Sequence, residues 1–232
     1  FEKQRLYKQA QAEYRKSLDI DKWFVPALTG LARMEYRETE YAASMESSLK
    51  ALSVDTYDGG ANMMYGLAGL VMGDTLSAID GFSIATQDVA FRNAAYNELA
   101  AIYIRKGDYR KALSYADQSI SFNSQGSEGI QLRTLCLRKL GNRKAADIEL
   151  NKLERSDPLN HFIRFERYII TPSEENRDLA KSHIFNELPQ ETCLEYALWY
   201  FRNGQIKDAL QILELSPENH PIVVLWKGYL HH

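Results

Sequence analysis

The stretch AAYNELAAIYIRKGDYRKALSYADQSISFN, residues 94–123, carries two apolar stripes around one glycine. Tyr96, Leu99, Ala100 and Tyr103 recur at i, i+3, i+4 and i+7, one face of a helix. Gly107-Asp108 follows, and glycine is the residue that closes a helix in the left-handed conformation. Tyr109, Ala112, Leu113, Ala116 and Ile120 then rebuild a stripe on a second helix. The reading is helix, tight turn, helix. So short a turn forces close antiparallel packing, and small residues at the crossing let the two backbones approach.

The same register runs outward along the chain. Ala10, Ser44, Ala78, Ala112 and Ala146 stand 34 residues apart, as do Ala32, Gly66, Ala100 and Thr134, and Thr39, Gly73, Gly107 and Gly141. A fixed period of this length marks a stack of helix pairs. After Pro158 the period breaks, and the next pair lacks a Gly-Asp turn. There Thr171-Pro172-Ser173-Glu174 reads as a capping box with proline at the first helical position, so a helix is expected from about Pro172. Tyr196-Ala197, Tyr200, Gly204 and Ala209 restore the pattern, and Pro221 opens one more helix.

Those residues resemble the tetratricopeptide repeat, with its W-x₂-L-G-x₂-Y, A-x₃-F, A and P positions. Tyr96 stands for the Trp, Leu99-Ala100 for Leu-Gly, Tyr103 for the Tyr and Ala112 for the first Ala; Ile130, Leu137, Gly141, Ala146 and Pro158 follow in the next repeat. Glu35 and Gly69 depart from the large Tyr, and Arg133 from the Leu. The stretch from Asp157 to Gly204 also resembles the repeat region of long bacterial proteins in which a β-rich N-terminal region precedes the array. The resemblance implies an all-α fold, a right-handed superhelix (an α-solenoid) of about six antiparallel helix pairs. The expected division is one array over 1–232: a second helix in 1–24, full repeats at 25–58, 59–92, 93–126 and 127–160, a degenerate repeat at 161–189, a repeat at 190–219, and a first helix in 220–232. Both ends then read as cuts through a longer array.

Within this frame GGANMMYGLAGLVMGD, residues 59–74, stands out, because no charge interrupts it between Asp58 and Asp74. A helix apolar all round should be buried all round. Its glycines Gly60, Gly66 and Gly69 each cost about 1 kcal/mol against Ala, so close approach must offset them. Tyr65, Gly66 and Gly69 are expected to face the partner helix. Met63, Leu67, Leu70 and Val71 are expected to face the concavity, where either neighbouring aromatics such as Phe82 and Tyr103 fill the space or an apolar groove awaits a partner.

The resemblance places binding on the inner face lined by first helices. It assigns the positions Thr29, Arg33 and Arg37; Met63, Leu67 and Val71; Asn97, Ala101 and Arg105; and Gln131, Leu135 and Lys139. The Lys/Asn clamp with which some such proteins grip a chaperone's C-terminal carboxylate is not matched, since Asn97 stands alone. Arg37, Arg105, Lys139 and Arg202 share one repeat position. They read either as cations suited to helix C-termini or as one wall of a site for an acidic peptide.

Composition narrows the function classes. The 232 residues carry a net charge of −3 and are 45% hydrophobic, enough for a full core and too neutral to steer toward nucleic acid or an anionic membrane. Neither a signal peptide nor a membrane span is evident; because the chain starts at Phe1 without a Met, a targeting segment lost upstream is compatible with this. Cys136 and Cys193 fall in different repeats, read as buried structural thiols, and fit a reducing compartment such as the cytoplasm. The glycines fit no phosphate loop. His161, His183 and His220 stand far apart without metal-ligand spacing, and Glu174-Glu175 reads as a helix-start pair. The expectation is a chain without enzyme activity, metal or cofactor: a protein or peptide scaffold, or a docking platform for another domain of a longer chain. The alternative is an accessory helical region of a bacterial carbohydrate-active or sugar-binding protein whose active site lies upstream. Self-association of the array is a third reading.

Overall fold

The computed structural model describes residues 6–182, 184, 188–216 and 220–231. Among these residues it holds fourteen helices and no strand. In chain order they are α1 (Tyr7–Ile20), α2 (Val25–Arg37), α3 (Tyr41–Val54), α4 (Gly59–Val71), α5 (Thr75–Ala85), α6 (Arg92–Arg105) and α7 (Tyr109–Phe122). There follow α8 (Ser127–Lys139), α9 (Arg143–Ser156), α10 (His161–Ile170), α11 (Glu174–Ser182), α12 (Pro189–Arg202), α13 (Ile206–Leu213) and α14 (Pro221–His231). None of them is long and apolar enough to cross a membrane. By internal contact the chain forms two units. The first runs to Leu99 and adds Ser121–Asn123; the second comprises Ala100–Ile120 and the chain from Ser124.

The turns that join first to second helices are built alike. Gly73, Gly107, Gly141 and Gly204 all have positive φ, between 71° and 82°. In each the glycine N–H donates to the carbonyl three residues back and the next N–H to the carbonyl five residues back: Gly107 to Ile104 and Asp108 to Tyr103, for example, both at 2.9 Å. This double bond pattern satisfies the last carbonyls of the helix. A Cβ at Gly73, Gly107 or Gly141 would meet nothing within 4 Å, so conformation alone requires glycine there. Asp74, Asp108 and Asn142 then cap the following helix, accepting from the backbone N–H three residues on.

Thr39 occupies the same turn position with φ 64° and makes the same two-bond pattern, Thr39 to Tyr36 and Glu40 to Glu35. A β-branched residue pays about 1–2 kcal/mol to sit there, against about 0.5–1 kcal/mol of extra chain entropy that glycine would lose on folding. Thr39→Gly is therefore expected to raise stability by about 0.5–1 kcal/mol, read as a higher thermal midpoint. A lower midpoint would mean that the threonine side chain contributes something the turn geometry does not reveal.

The small-residue columns lie at helix crossings. Ala32, Ser44, Ala78, Ala100, Ala112, Thr134 and Ala146 are all fully buried. In the first unit the α4–α5 pair is the tightest. A Cβ on Gly81 would lie 2.6 Å from the Asn62 carbonyl oxygen and 2.8 Å from the Gly66 nitrogen. One on Gly66 would lie 2.7 Å from the Phe82 ring, and one on Gly69 3.2 Å from Ser77 and the Asp74 carbonyl. Tyr65 donates its hydroxyl to Ser77 Oγ at 2.8 Å across the same crossing. The glycines of the apolar helix thus exchange helix propensity for backbone-on-backbone packing, and Phe82 fills the space beside Gly66. Gly60 serves the neighbouring pairs, its missing Cβ leaving room for Thr29 at 2.8 Å and Phe91 at 3.5 Å. Asn62, the one strongly polar side chain, is buried and donates to the carbonyls of Thr56 and Asp58, both at 2.9 Å.

In the second unit the crossings are bulkier. Phe162 packs edge-on to Trp199 at 5.1 Å, Phe165 edge-on to Tyr196 at 5.2 Å, and Tyr200 is completely buried. The break after Pro158 shows as a short pair, α10 with 10 residues and α11 with 9. The expected start of α11 needs correction. The helix begins at Glu174, and its cap is Ser173, whose Oγ accepts from Asn176 N–H at 3.1 Å. Thr171 instead closes α10 with φ −136° and ψ 84°, outside the helical region that a following proline disfavours. Its carbonyl accepts from Asn176 Nδ2 at 2.9 Å.

Candidate binding surfaces

In the first unit the α4 residues fan round the helix by about 100° per residue. Gly66 and Gly69 therefore look at α5 while Met63, Leu67, Leu70 and Val71 share the next face. Their fates differ: Met63 is buried at 7% exposure, Leu67 and Leu70 are half-buried, and Val71 is 49% exposed. Met63 belongs to the core and takes no part in an open groove. Of the neighbouring inner positions, Thr29 donates to Asp58 Oδ1 at 3.1 Å, and Asp58 in turn accepts from Ala61 N–H at 2.7 Å to start α4. Arg33 is half-buried, Asn97 is buried, and Arg37 is exposed, its guanidinium over the Tyr7 ring and donating to the Tyr7 hydroxyl at 3.0 Å.

The second unit treats the equivalent positions differently. Leu135 is completely buried and Gln131 nearly so, with Nε2 3.5 Å from Asn160 Oδ1; Ala101 is half-buried. Tyr103 stacks on Tyr115 at 5.5 Å. Two cations of the shared repeat position are engaged within this unit. Arg105 donates to the Arg202 carbonyl at 3.0 Å, and Lys139 pairs with Asp208 at 2.8 Å. A Cβ on Gly204 would lie 3.4 Å from Arg105 Cα, so the end of α6 rests on the α12–α13 turn.

Behind Lys139 lies a charged cluster that no sequence spacing announced. Arg138 on α8 reaches Glu166 on α10 at 2.5 Å and Asp208 on α13 at 2.8 Å, and the Tyr200 hydroxyl on α12 donates to Glu166. Glu166 is wholly buried, and Arg138 and Asp208 nearly so. Burial works against the Arg138 charge, but Glu166, Tyr200 and Asp208 outweigh it and hold the guanidinium protonated more firmly than usual. Burial likewise pushes Asp208 up, yet its bonds to Arg138 and Lys139 prevail and hold the carboxyl below its ordinary range. For Tyr200 burial and Glu166 act together and raise the phenol well above normal. The readable signal was Glu166 itself, a carboxylate on the helix face that Phe162, Phe165 and Ile169 share in HFIRFERYII.

The departures from the repeat pattern are also paired. Glu35 is buried and accepts from Ser47 at 2.7 Å, with Arg15 at 3.6 Å; burial nonetheless raises its pKa. Arg133 spans Asp117 at 2.6 Å and Glu149 at 2.5 Å, so an ion-pair bridge between α7 and α9 stands where a leucine would. Cys136 and Cys193 are buried and unbridged, and burial pushes both thiols up to about 12. Such thiols are poor nucleophiles. Among the described residues no group of three His, Cys, Asp or Glu comes together as a metal site would need. His161 lies among Phe165 and Tyr196; His183 lies outside the described residues, as does His232.

No family model matches the sequence, and no curated protein does either. Solved structures do. A tetratricopeptide repeat protein from Parabacteroides merdae superposes with a TM-score of 0.69 at 14% identity, over 100% of this chain and 95% of its own. PilF of Pseudomonas aeruginosa gives 0.68 at 19% identity over 88% and 90%, and YrrB, described as a TPR protein with an unusual peptide-binding site, gives 0.60 at 16% over 93% and 97%. The fold is the tetratricopeptide repeat. Within a tetratricopeptide frame the equivalent repeat positions therefore divide. In the first unit α4 leaves part of an apolar face open; in the second, α8 turns the same positions into core and ion pairs.

Proposed function

We propose that this chain is a non-catalytic scaffold that binds a peptide or protein segment along Leu67, Leu70 and Val71 of α4, with Arg33 and Arg37 beside them. The observation that carries this reading is the contrast between α4 and α8. Leu135, the equivalent of Leu67, is completely buried and Arg138 and Lys139 are held in ion pairs, while Leu67 and Leu70 are only half covered and Val71 remains 49% exposed. The likeness to YrrB, a tetratricopeptide protein described by its peptide-binding site, supports a peptide as occupant. An apolar segment seated here would gain about 25 cal/mol for each Å² of apolar surface covered, less the cost of association.

The test is a peptide selection from a displayed random library against the chain, followed by titration of the selected peptides into Leu67→Glu. The expected result is a variant with an unchanged circular dichroism melt that has lost the peptides. If the variant binds them as the parent does, or if it unfolds because a carboxylate has been forced into core, the proposal is withdrawn.

A further inference from the structure

The opposite end of the helices in the first unit carries a feature that the inner face does not explain. At the ends of α1, α3 and α7, and in the loops after α1, α3 and α5, large apolar side chains stand in solvent. Ile20 is 91% exposed, Trp23 50%, Val54 52%, Tyr57 70%, Val89 81% and Phe122 55%. All but Val89 follow the repeat. Ile20 and Val54 are 34 residues apart, and so are Trp23 and Tyr57, so successive repeats present them in line along one edge. In the second unit the matching loops carry Ser156 and Leu159, and of these only Leu159 is a large exposed apolar side chain.

The aromatics are held out by structure. Asp21 Oδ1 accepts from Trp23 N–H and Asp55 Oδ1 from Tyr57 N–H, both at 3.0 Å. Asp88 Oδ1 accepts from Ala90 N–H at 2.8 Å in the third loop. An Asp-x-aromatic turn therefore stands in the first two loops at the repeat spacing and orders the backbone from which each ring projects; the third loop makes the same bond without an aromatic. A side chain on backbone already ordered costs less to immobilise on binding.

The edge is also acidic. Asp19, Asp21 and Asp55 are exposed and Asp88 is half-buried. Against them stand Lys22, exposed beside the Trp23 ring, and Arg92. Arg92 is tied to the Thr86 and Gln87 carbonyls and lies over Phe122 at 4.6 Å. A second copy of the same edge would bring carboxylates against carboxylates, and an acidic segment would do the same.

We propose that this loop edge is a second docking surface, separate from the α4 face, and that its occupant is an extended basic segment of a partner protein with apolar side chains at intervals. Apolar side chains of the occupant then meet the exposed apolar groups of the loops, while Lys or Arg between them faces the aspartates and the aromatic rings.

The probe is a synthetic peptide of about twelve residues repeating Leu-Lys-Arg, titrated calorimetrically into the chain. Its partners are a Leu-Glu-Asp analogue and a Ser-Lys-Arg analogue. Binding of the first peptide alone is expected, weakening with added salt. The double variant Trp23→Ser/Tyr57→Ser should weaken it at least about tenfold, the loss expected of aromatic hot spots, with an unchanged melt because both side chains are exposed. Asp19→Lys/Ile20→Lys, at two solvent-facing positions, should weaken it independently. Leu67→Glu should leave it unaltered, which separates this surface from the α4 face. The proposal is overturned if the first peptide fails to bind, if either double variant binds it as the parent does, or if an analogue binds equally. A concentration-dependent dimer that Trp23→Ser/Tyr57→Ser abolishes would assign the edge to a second copy and overturn it too.

Discussion

Arg138→Ala is expected to destabilise the second unit by about 3–5 kcal/mol, the usual cost of removing one partner from a buried ion cluster. The reason is what remains. Glu166 is completely buried and Asp208 nearly so, and without the guanidinium Glu166 keeps, among the described residues, the Tyr200 hydroxyl and Asp208 keeps Lys139. Tyr200→Phe, which removes one donor from Glu166, should cost about 1–3 kcal/mol. An apolar replacement of the cluster, Arg138→Met with Glu166→Leu and Asp208→Leu, should recover much of the loss, since well-packed apolar groups often match a buried ion pair.

The same cluster sets an acid limit. Asp208 has its carboxyl held below the unfolded value of about 3.9. Its contribution is therefore complete above that value and disappears as pH falls through the lower, folded one. Arg138→Ala should flatten the acid limb of the stability profile as well as lower it. Thermal melts across pH that superpose for parent and variant would show that the cluster contributes nothing to folding.

Gly81→Val should be nearly as damaging in the first unit. Its Cβ would meet the Asn62 carbonyl oxygen and the Gly66 nitrogen, backbone atoms that no rotamer change can move aside. Overpacking costs about 1–3 kcal/mol where side chains can shift, and more where they cannot. Gly73→Ala makes the informative comparison. Its Cβ meets nothing within 4 Å, and only the positive φ is strained, for about 1–2 kcal/mol. A Gly81→Val protein that melts above Gly73→Ala would mean that α4 and α5 are not in backbone contact.

Whatever depends on neighbours in sequence was legible. The left-handed turns and the buried columns of small residues are local demands repeated every 34 residues, and repetition separates them from chance. Thr39 was readable by position although its residue type argues against the conformation it adopts. The α11 start was misjudged because Thr171 and Ser173 both offer a capping hydroxyl beside Pro172, and only the fold chooses between them. The exposure of the inner positions was not legible either. Met63 and Leu67 are chemically alike, and their difference depends on which helices press against α4. The Arg138 cluster joins residues 28 and 70 positions apart, and no period connects a cation on α8 to carboxylates on α10 and α13.

The hydrogen bond from Arg105 to the Arg202 carbonyl spans 97 residues. A helical array in which each repeat touches only the next can gain or lose a repeat without disturbing the rest. The second unit has given up that freedom. One more helix pair between α6 and α12 would carry the Arg202 carbonyl and Gly204 away from Arg105, and one more between α8 and α13 would part Arg138 from Asp208. The number of repeats between α6 and α13 is thereby fixed, and duplication can lengthen the array only outside that span.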